Sequence, residues 1–350
     1  MWASARRPTH DAEPLPTGSF GACALIAGRT SFERADFAKL AELWDKFHSP
    51  RFRVDAELLQ ANTVGSPVFD WGASCIHWDN GVPTGFVAVK RSPAPGLYSG
   101  PDQDTYHLSA IAFLEPALGV DLLSYSKRVI AQRGAFALLF GQDTRHFFPG
   151  CPCDLPVLCN FLTVEGFEEQ PEVFDLERDL QNYHPSPALE TALAAWPGGS
   201  GQGKASVRTL TDNDVAALAS HLQSEFPGRW QYDVLQKVGI EGPETVCGLF
   251  EGSELCGFAL IQDSTHKLPA GGAVWRGALG SHWGSLGPIG VAKSRRGTGL
   301  GTALLSASLL ELQRRGCRQT IIDWTTLDRF YGAQGFEVTR RYKPMRLQLG

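Results

Sequence analysis

One stretch near the end of the chain, Gly287 to Gly301, narrows the folds open to it more than any other. It reads G-P-I-G-V-A-K-S-R-R-G-T-G-L-G. The β-branched Ile289 and Val291 predict a strand ending at Lys293, the glycines a tight turn, and the leucine spacing from Thr302 to Arg315 a helix. Such a junction gathers unpaired N–H groups and the positive end of a helix dipole at one point, which suits phosphate oxygens. Gly299 and Gly301 let the backbone approach an anion closely, and Arg296 can add a charge-assisted contact. Glycine-rich turns also occur as plain loops, so this motif alone does not decide the matter.

The residues after the helix are more specific. Gln319 to Asp323 (Q-T-I-I-D) reads as a strand, and F-Y-G-A-Q-G-F-E runs from Phe330 to Glu337. In this order the two motifs resemble the GNAT superfamily of acyl-CoA-dependent N-acetyltransferases. Arg296, Gly299 and Gly301 match the cofactor motif, and Phe330, Tyr331, Gly335 and Phe336 match the later signature. The resemblance covers roughly Val207 to Leu347. It implies an α/β chain of the α+β GNAT type, with a mixed, mostly antiparallel twisted sheet flanked by helices, and acetyl-CoA as co-substrate. It also implies that Ile289, Gly290 and Val291 hold the pantetheine arm and the oxyanion. The loop Arg296, Gly297, Thr298, Gly299, Leu300, Gly301 and Thr302 would take the pyrophosphate, and Tyr331 would reprotonate the leaving thiolate. A tyrosine in such a helix also packs well with no chemical task.

At 350 residues the chain exceeds one typical domain. The second half predicts strands at Ala205–Leu210, Val246–Phe250 and Leu255–Gln262 and a helix at Asp212–Phe226. The first half predicts a strand at Cys23–Ile26, a helix at Arg34–Phe47, and a hairpin of Cys75–Trp78 with Gly85–Val89 across Asp79-Asn80-Gly81. Further strands are expected at His107–Phe113, Ala135–Phe140 and Val173–Leu180, with helices at Asp121–Arg133 and Val157–Val164. I-A-Q-R-G (Ile130 to Gly134) aligns with L-Q-R-R-G (Leu312 to Gly316), and F-L-T-V-E-G-F-E (Phe161 to Glu168) with F-Y-G-A-Q-G-F-E. This repeat implies two copies of one domain in tandem. The expected organisation is an N-terminal tail (1–20), a degenerate GNAT domain (21–183), a Pro- and Gly-rich linker (184–204) and a catalytic GNAT domain (205–350).

In the first copy the positions of Arg296, Gly299 and Gly301 fall on Leu114, Ala117 and Gly119, and Tyr331 falls on Leu162. Glu115 adds a negative charge where a pyrophosphate would sit, so this copy is expected not to bind acyl-CoA productively. It also holds a longer loop containing Arg145, His146, Phe147 and Phe148. That loop is expected to wall the acceptor pocket or the domain interface, or else to pack on its own aromatics.

Amide formation from a thioester needs a neutral amine, whereas a free alkylamine has a pKa near ~10. A base, direct or through water, must take its proton, and a donor must hold the oxyanion. Asp323 is the first candidate base, followed by Glu225 and His282; each also fits an ordinary capping or surface role. Where the family often carries an asparagine seven residues before the tyrosine, this chain has Trp324. The run I-D-W-T resembles tandem members that sometimes accompany enzymes acting on N-acetylglucosamine, and the tandem plan is similar to mycothiol synthase.

The balance of 37 acidic to 32 basic residues, with a net charge of −5 and no long cationic run, argues against nucleic acid. No segment reads as a membrane span or signal peptide, which predicts a soluble, cytoplasmic protein. Cys151, Cys153 and Cys159 cluster near His146, but a zinc site lacks a clear fourth ligand. Reduced thiols and no metal are expected. The expected function is acetyl-CoA-dependent acetylation of a small primary amine by direct attack, by a monomer or homodimer. The alternatives are a non-catalytic acyl-CoA sensor or scaffold, and an acetyltransferase for an amino sugar or a thiol precursor.

Overall fold

The computed structural model describes residues 28–93, 105–186 and 205–349. The strand expected at Cys23–Ile26, the N-terminal tail and most of the linker lie outside them. In chain order the first half carries β1 (Arg29–Thr30), α1 (Phe37–Phe47), α2 (Ala56–Asn62), β2 (Cys75–Asp79), β3 (Val82–Arg91), β4 (Thr105–Phe113), α3 (Pro116–Ala131), β5 (Ala137–Phe140), β6 (Cys151–Pro152), α4 (Pro156–Val164), β7 (Glu168–Glu169) and β8 (Val173–Asp179). The second half carries β9 (Ala205–Thr209), α5 (Val215–Glu225), α6 (Arg229–Glu241), β10 (Val246–Glu251), β11 (Glu254–Asp263), α7 (Arg276–Leu279), β12 (Trp283–Val291), α8 (Leu300–Arg314), β13 (Gln319–Thr325), α9 (Asp328–Gly332), β14 (Glu337–Lys343) and β15 (Met345–Gln348).

Local chemistry accounts for many of these boundaries. Asp36 caps α1 by accepting the Lys39 N–H at 3.2 Å, and Leu40, Leu43 and Trp44 form its buried face. The β2–β3 hairpin turns through Asn80 and Gly81, at φ 49° and 78°, the paired positive angles that match the twist of the flanking strands. Helix α3 begins earlier than its apolar spacing suggests, because Pro116 is preorganised for the first helical position. Helix α6 was not apparent from the sequence, and it starts at Gly228 without a side-chain cap.

Two sheets result, ordered β1-β2-β3-β4-β5-β15-β7 and β6-β14-β8-β13-β12-β11-β10-β9. Each contains one parallel pair, β4 with β5 and β12 with β13, and is otherwise antiparallel. The halves exchange strands. β8, the last strand expected in the first half, lies between β14 and β13 of the second sheet, while β15 crosses to sit between β5 and β7.

One apolar core follows the exchange across both halves. Phe148 packs 5.6 Å from Trp44 and 5.5 Å from Trp275 between ring centroids, with Phe52 and Tyr342 alongside. These rings are buried with Met345 and Ile321 in the same cluster, so this interface has the character of a domain interior. A second cluster lies under α8, where Leu304, Leu305, Leu309 and Leu312 are fully buried.

Cys151 and Cys159 are joined by a disulfide, with Cα atoms 5.9 Å apart, which overturns the expectation of reduced thiols for that pair. Cys153 between them is free and exposed. Among the described residues no group of three or more His, Cys, Asp or Glu could hold a metal ion. Among them, too, no helix is long and apolar enough to cross a membrane.

Candidate active site

Strands β12 and β13 run side by side only from Trp283–Ser285 against Gln319–Ile321. Beyond Ser285 they part, and β12 shifts register against β11 around Gly287 and Pro288. The outer edge of β12 from Leu286 to Val291 therefore faces a wedge, and its backbone groups on that side have no strand to pair with. Gly290 is required here, because a Cβ would lie 2.5 Å from the Phe226 ring that covers the strand.

At the end of β12 the chain makes a short turn of 3-10 helix (Lys293–Arg295) and enters α8 through Gly297 and Gly299, at φ 77° and 85°. Among the described residues the N–H groups from Gly297 to Thr302 have no protein acceptor, and the first paired amide of the turn is Ala303, bonded to Gly299. Six unpartnered donors and a helix N-terminus thus fall together on one short segment. The Arg296 Nε donates to the Val291 carbonyl at 3.1 Å, which fixes the exposed side chain at the rim of the turn. Glu225 accepts the Lys293 N–H at 2.8 Å; it braces this turn and does not line the neighbouring cavity. His282 is exposed at the other end of β12.

That cavity, of about 350 Å³, opens on the wedge. The second half lines it with Gly287, Pro288 and Ile289 of β12, Asp323 and Trp324 of β13, Tyr331 of α9, and Arg229, Trp230 and Asp233 of α6. The first half contributes Arg145 and His146 from the loop after β5. The next two residues, Phe147 and Phe148, do not line it and instead anchor the loop in the aromatic core.

The electrostatics are concentrated. Asp323 is largely buried, and one of its oxygens lies 3.1 Å from His146 Nε2. Burial alone would raise its pKa, but the His146 contact and charge, with Arg229 and the Gly272 N–H, outweigh that and hold it below the ordinary value. Asp233 is pushed up to about 6, chiefly by burial, despite its 3.2 Å ion pair with Arg229. Asp175, from the exchanged strand β8, is fully buried and pushed up to about 7 by burial and by the charge of Asp323. It accepts the Tyr342 hydroxyl at 2.6 Å and the Trp324 N–H at 3.2 Å. Burial, with the Asp323 charge, raises the Tyr331 phenol above its usual range.

Trp324 stands at a bulge of β13 against β8, at φ 47°, a backbone conformation that costs a bulky side chain roughly 1–3 kcal/mol. Arg229 stacks 4.1 Å from its ring centre, and the His146 ring meets it edge-on at 5.1 Å. This strained indole lies between the guanidinium and the imidazole that the cavity recruits. Neither Arg229 nor Asp233 was singled out from the sequence. The signal was there: after Pro227-Gly228, Trp230, Val234 and Val238 repeat at helical spacing, with Arg229 and Asp233 one turn apart beside them.

In the first half an aromatic ring packs against the glycine that aligns with Gly301. A Cβ on Gly119 would lie 2.6 Å from Phe113, and that ring packs against Phe47 and Phe161 at 4.5 and 4.7 Å. Glu115 precedes α3, and Pro116 removes one of its N–H donors.

Residues 215–336 match the family model described as "Acetyltransferase (GNAT) family". Among solved structures, the GCN5-related glucosamine N-acetyltransferase region of a fungal multi-domain GH3 β-N-acetylglucosaminidase superimposes with a TM-score of 0.80 at 17% identity, over 91% of this chain and 38% of that one. This chain thus spans well under half of that protein's length. A GCN5-related N-acetyltransferase from Sphaerobacter thermophilus matches with a TM-score of 0.65 at 16% identity, over 93% and 97% of the two chains. A tandem GNAT protein from the clavulanic acid biosynthesis pathway matches with 0.58 at 15%, over 90% and 94%. No curated protein matches the sequence significantly. At these identities the superpositions speak to the fold. With the family match and the two sheets, they lead to one conclusion: residues 215–336 form a domain of the acetyltransferase (GNAT) family, within a chain built of two GNAT-like domains.

Proposed function

We propose that the chain is an acetyl-CoA-dependent N-acetyltransferase whose second half performs the transfer to a small primary amine, with amino sugars the first class to test. One observation carries this reading: the cavity with its carboxylates opens directly on the wedge of β12, on the same strand that leads into the six unpartnered N–H groups. The residues fit the co-substrate. Gly297 and Gly299 have open space where a Cβ would stand, so a pyrophosphate could approach the amides of Gly297 to Thr302. Arg296 lies beside them. Bound acetyl-CoA would supply the thioester carbonyl that the amine attacks.

The chain's own groups divide the remaining work. Backbone groups of Ile289, Gly290 and Val291 on the wedge side would line the pantetheine arm and the oxyanion. Asp323 and Asp233 draw a cationic amine into the cavity, and Asp323, ionised at neutral pH, takes its proton directly or through water. Asp233, titrating at about 6, is the second candidate for that step. Tyr331 keeps its proton until a thiolate forms near it, then gives it up. The mixed lining of Asp233, Arg229, Arg145 and Trp324 suits a cation that also carries hydroxyls, and the likeness to a glucosamine N-acetyltransferase region supports trying hexosamines first. Glu115 and Pro116 at the head of α3, with the Phe113 ring against Gly119, support assigning the chemistry to the second half.

The test is release of free thiol from acetyl-CoA over a panel of amines. Turnover with at least one small amine, falling about a hundredfold in Asp323→Asn while acetyl-CoA still binds, is expected. Tight acetyl-CoA binding without thiol release across the panel would leave a sensor or scaffold.

A further inference from the structure

We infer that His146, from the half without an anion loop, is the positioning residue that orients the Asp323 carboxylate, and that the buried Lys90–Asp143 pair latches the loop carrying it. This rests on the proposed function, in which the second half is catalytic with Asp323 as its base.

The loop after β5 holds a conformation it would not adopt unaided. Gly141, Gln142 and Arg145 have φ of 65°, 62° and 53°, and two of these are not glycine. One side chain accounts for much of the restraint. Lys90 on β3 is fully buried, and its ammonium donates to Asp143 Oδ2 at 2.5 Å and to the Thr144 and Arg145 carbonyls at 3.1 Å each. All three of its hydrogens are thereby spent on this loop. Ser109 Oγ donates to the same Asp143 oxygen at 2.9 Å, and Arg145 Nη1 donates to the Gly65 carbonyl at 3.0 Å. On the far side Phe147 and Phe148 are clamped against Trp44. An apolar pair would hold a loop at less desolvation cost than a buried ion pair. An ion pair with directed hydrogen bonds fixes where the next side chain goes, and that side chain is His146.

His146 crosses to the other half. Its Nδ1 lies 3.3 Å from the Asp143 carbonyl, which only accepts, so Nδ1 carries a hydrogen. Nε2 is left facing the Asp323 carboxylate at 3.1 Å. The other Asp323 oxygen faces Gly271, where an added Cβ would lie 2.8 Å away, and the Gly272 N–H also bonds the carboxylate. The charged and titratable groups facing Asp323 are therefore His146 from this loop, Arg229 from α6, Asp175 from β8 and Tyr331 from α9. Of these, His146 is the one that both touches the carboxylate and belongs to the first half. The duplicated domain thus contributes to catalysis without binding the acyl donor.

The experiment uses the full chain and two variants, His146→Gln and the paired Lys90→Met/Asp143→Leu. Carboxyl-13C NMR without any substrate follows the titration of Asp323; in both variants it is expected to move to higher pH. Where an amine substrate is in hand, kcat should fall about tenfold or more, the acidic limb of its pH profile should move the same way, and acetyl-CoA affinity should stay unchanged. If the paired variant fails to fold, His146→Gln alone decides. An Asp323 titration unmoved in His146→Gln overturns the proposal whatever the activity does. Full activity in Asp323→Asn is a different result: it removes Asp323 as the base and leaves the NMR titration to judge the His146 coupling.

Discussion

Gly299 offers the sharpest test of where an acyl-CoA would bind. It sits at φ 85° at the head of α8, and a Cβ there would meet nothing within 4 Å. Gly299→Ala therefore carries only the backbone cost of a left-handed residue, about 1–2 kcal/mol, and no steric clash. Gly299→Glu adds a carboxylate beside six N–H donors that would otherwise face phosphate oxygens. Two unit charges 4 Å apart repel by about 4 kcal/mol at an effective dielectric of 20, and by about 1 kcal/mol in bulk water. Because the turn is exposed, the expected loss lies between those limits, roughly 5- to 1,000-fold in affinity. Calorimetric titration with acetyl-CoA at low salt should give one site per chain, a modest loss in Gly299→Ala and a far larger one in Gly299→Glu. Two sites per chain would refute the reasoning that the first half binds no acyl-CoA. Unchanged binding in Gly299→Glu would refute the placement on this turn.

Stability should depend on pH through the buried carboxyls. Asp175 and Asp233 titrate at about 7 and about 6 in the folded chain, against ~3.9 when unfolded, so the native state binds more protons between those values. Their contribution is full below pH ~4 and is lost as pH rises through 6 to 7. Asp175→Asn should therefore show a smaller fall in Tm between about pH 5 and 8 than the parent, read by scanning calorimetry. Trp324→Asn places a residue that tolerates positive φ at the bulge and removes the ring under Arg229, so KM for the amine should rise without a loss of Tm. A fragment ending at residue 186 should not fold by circular dichroism, because it lacks β15 and leaves β8 without either neighbour.

Much of this fold was legible in the sequence where the cause is local. Asn80-Gly81 dictates a hairpin by its backbone preference alone, and the glycines before Leu300 announce the entry to α8. Helix α6 was harder, since Gly228 supplies no capping side chain, and Asp233 went unread with it. Strand exchange leaves no local trace, because Val173–Asp179 alternates the same way whichever sheet receives it. The pairing of His146 with Asp323 joins residues 177 positions apart. Sequence reasoning could nominate both, and it took the folded chain to bring them together.

The exchanged strands also order events in time. β15 ends at Gln348, yet it lies inside the first sheet, with Met345 opposite Phe140. A ribosome must release some two hundred residues after β5 before β15 can pair with it. The first half must then wait, with β5 lacking one neighbour and part of its core uncovered, until residues 345–348 emerge. Closing so long a loop costs entropy, though the cost grows only slowly with length. During that interval the open edge beside β5 is the place where a nascent chain would be most exposed to wrong partners, and where a chaperone would have most to cover.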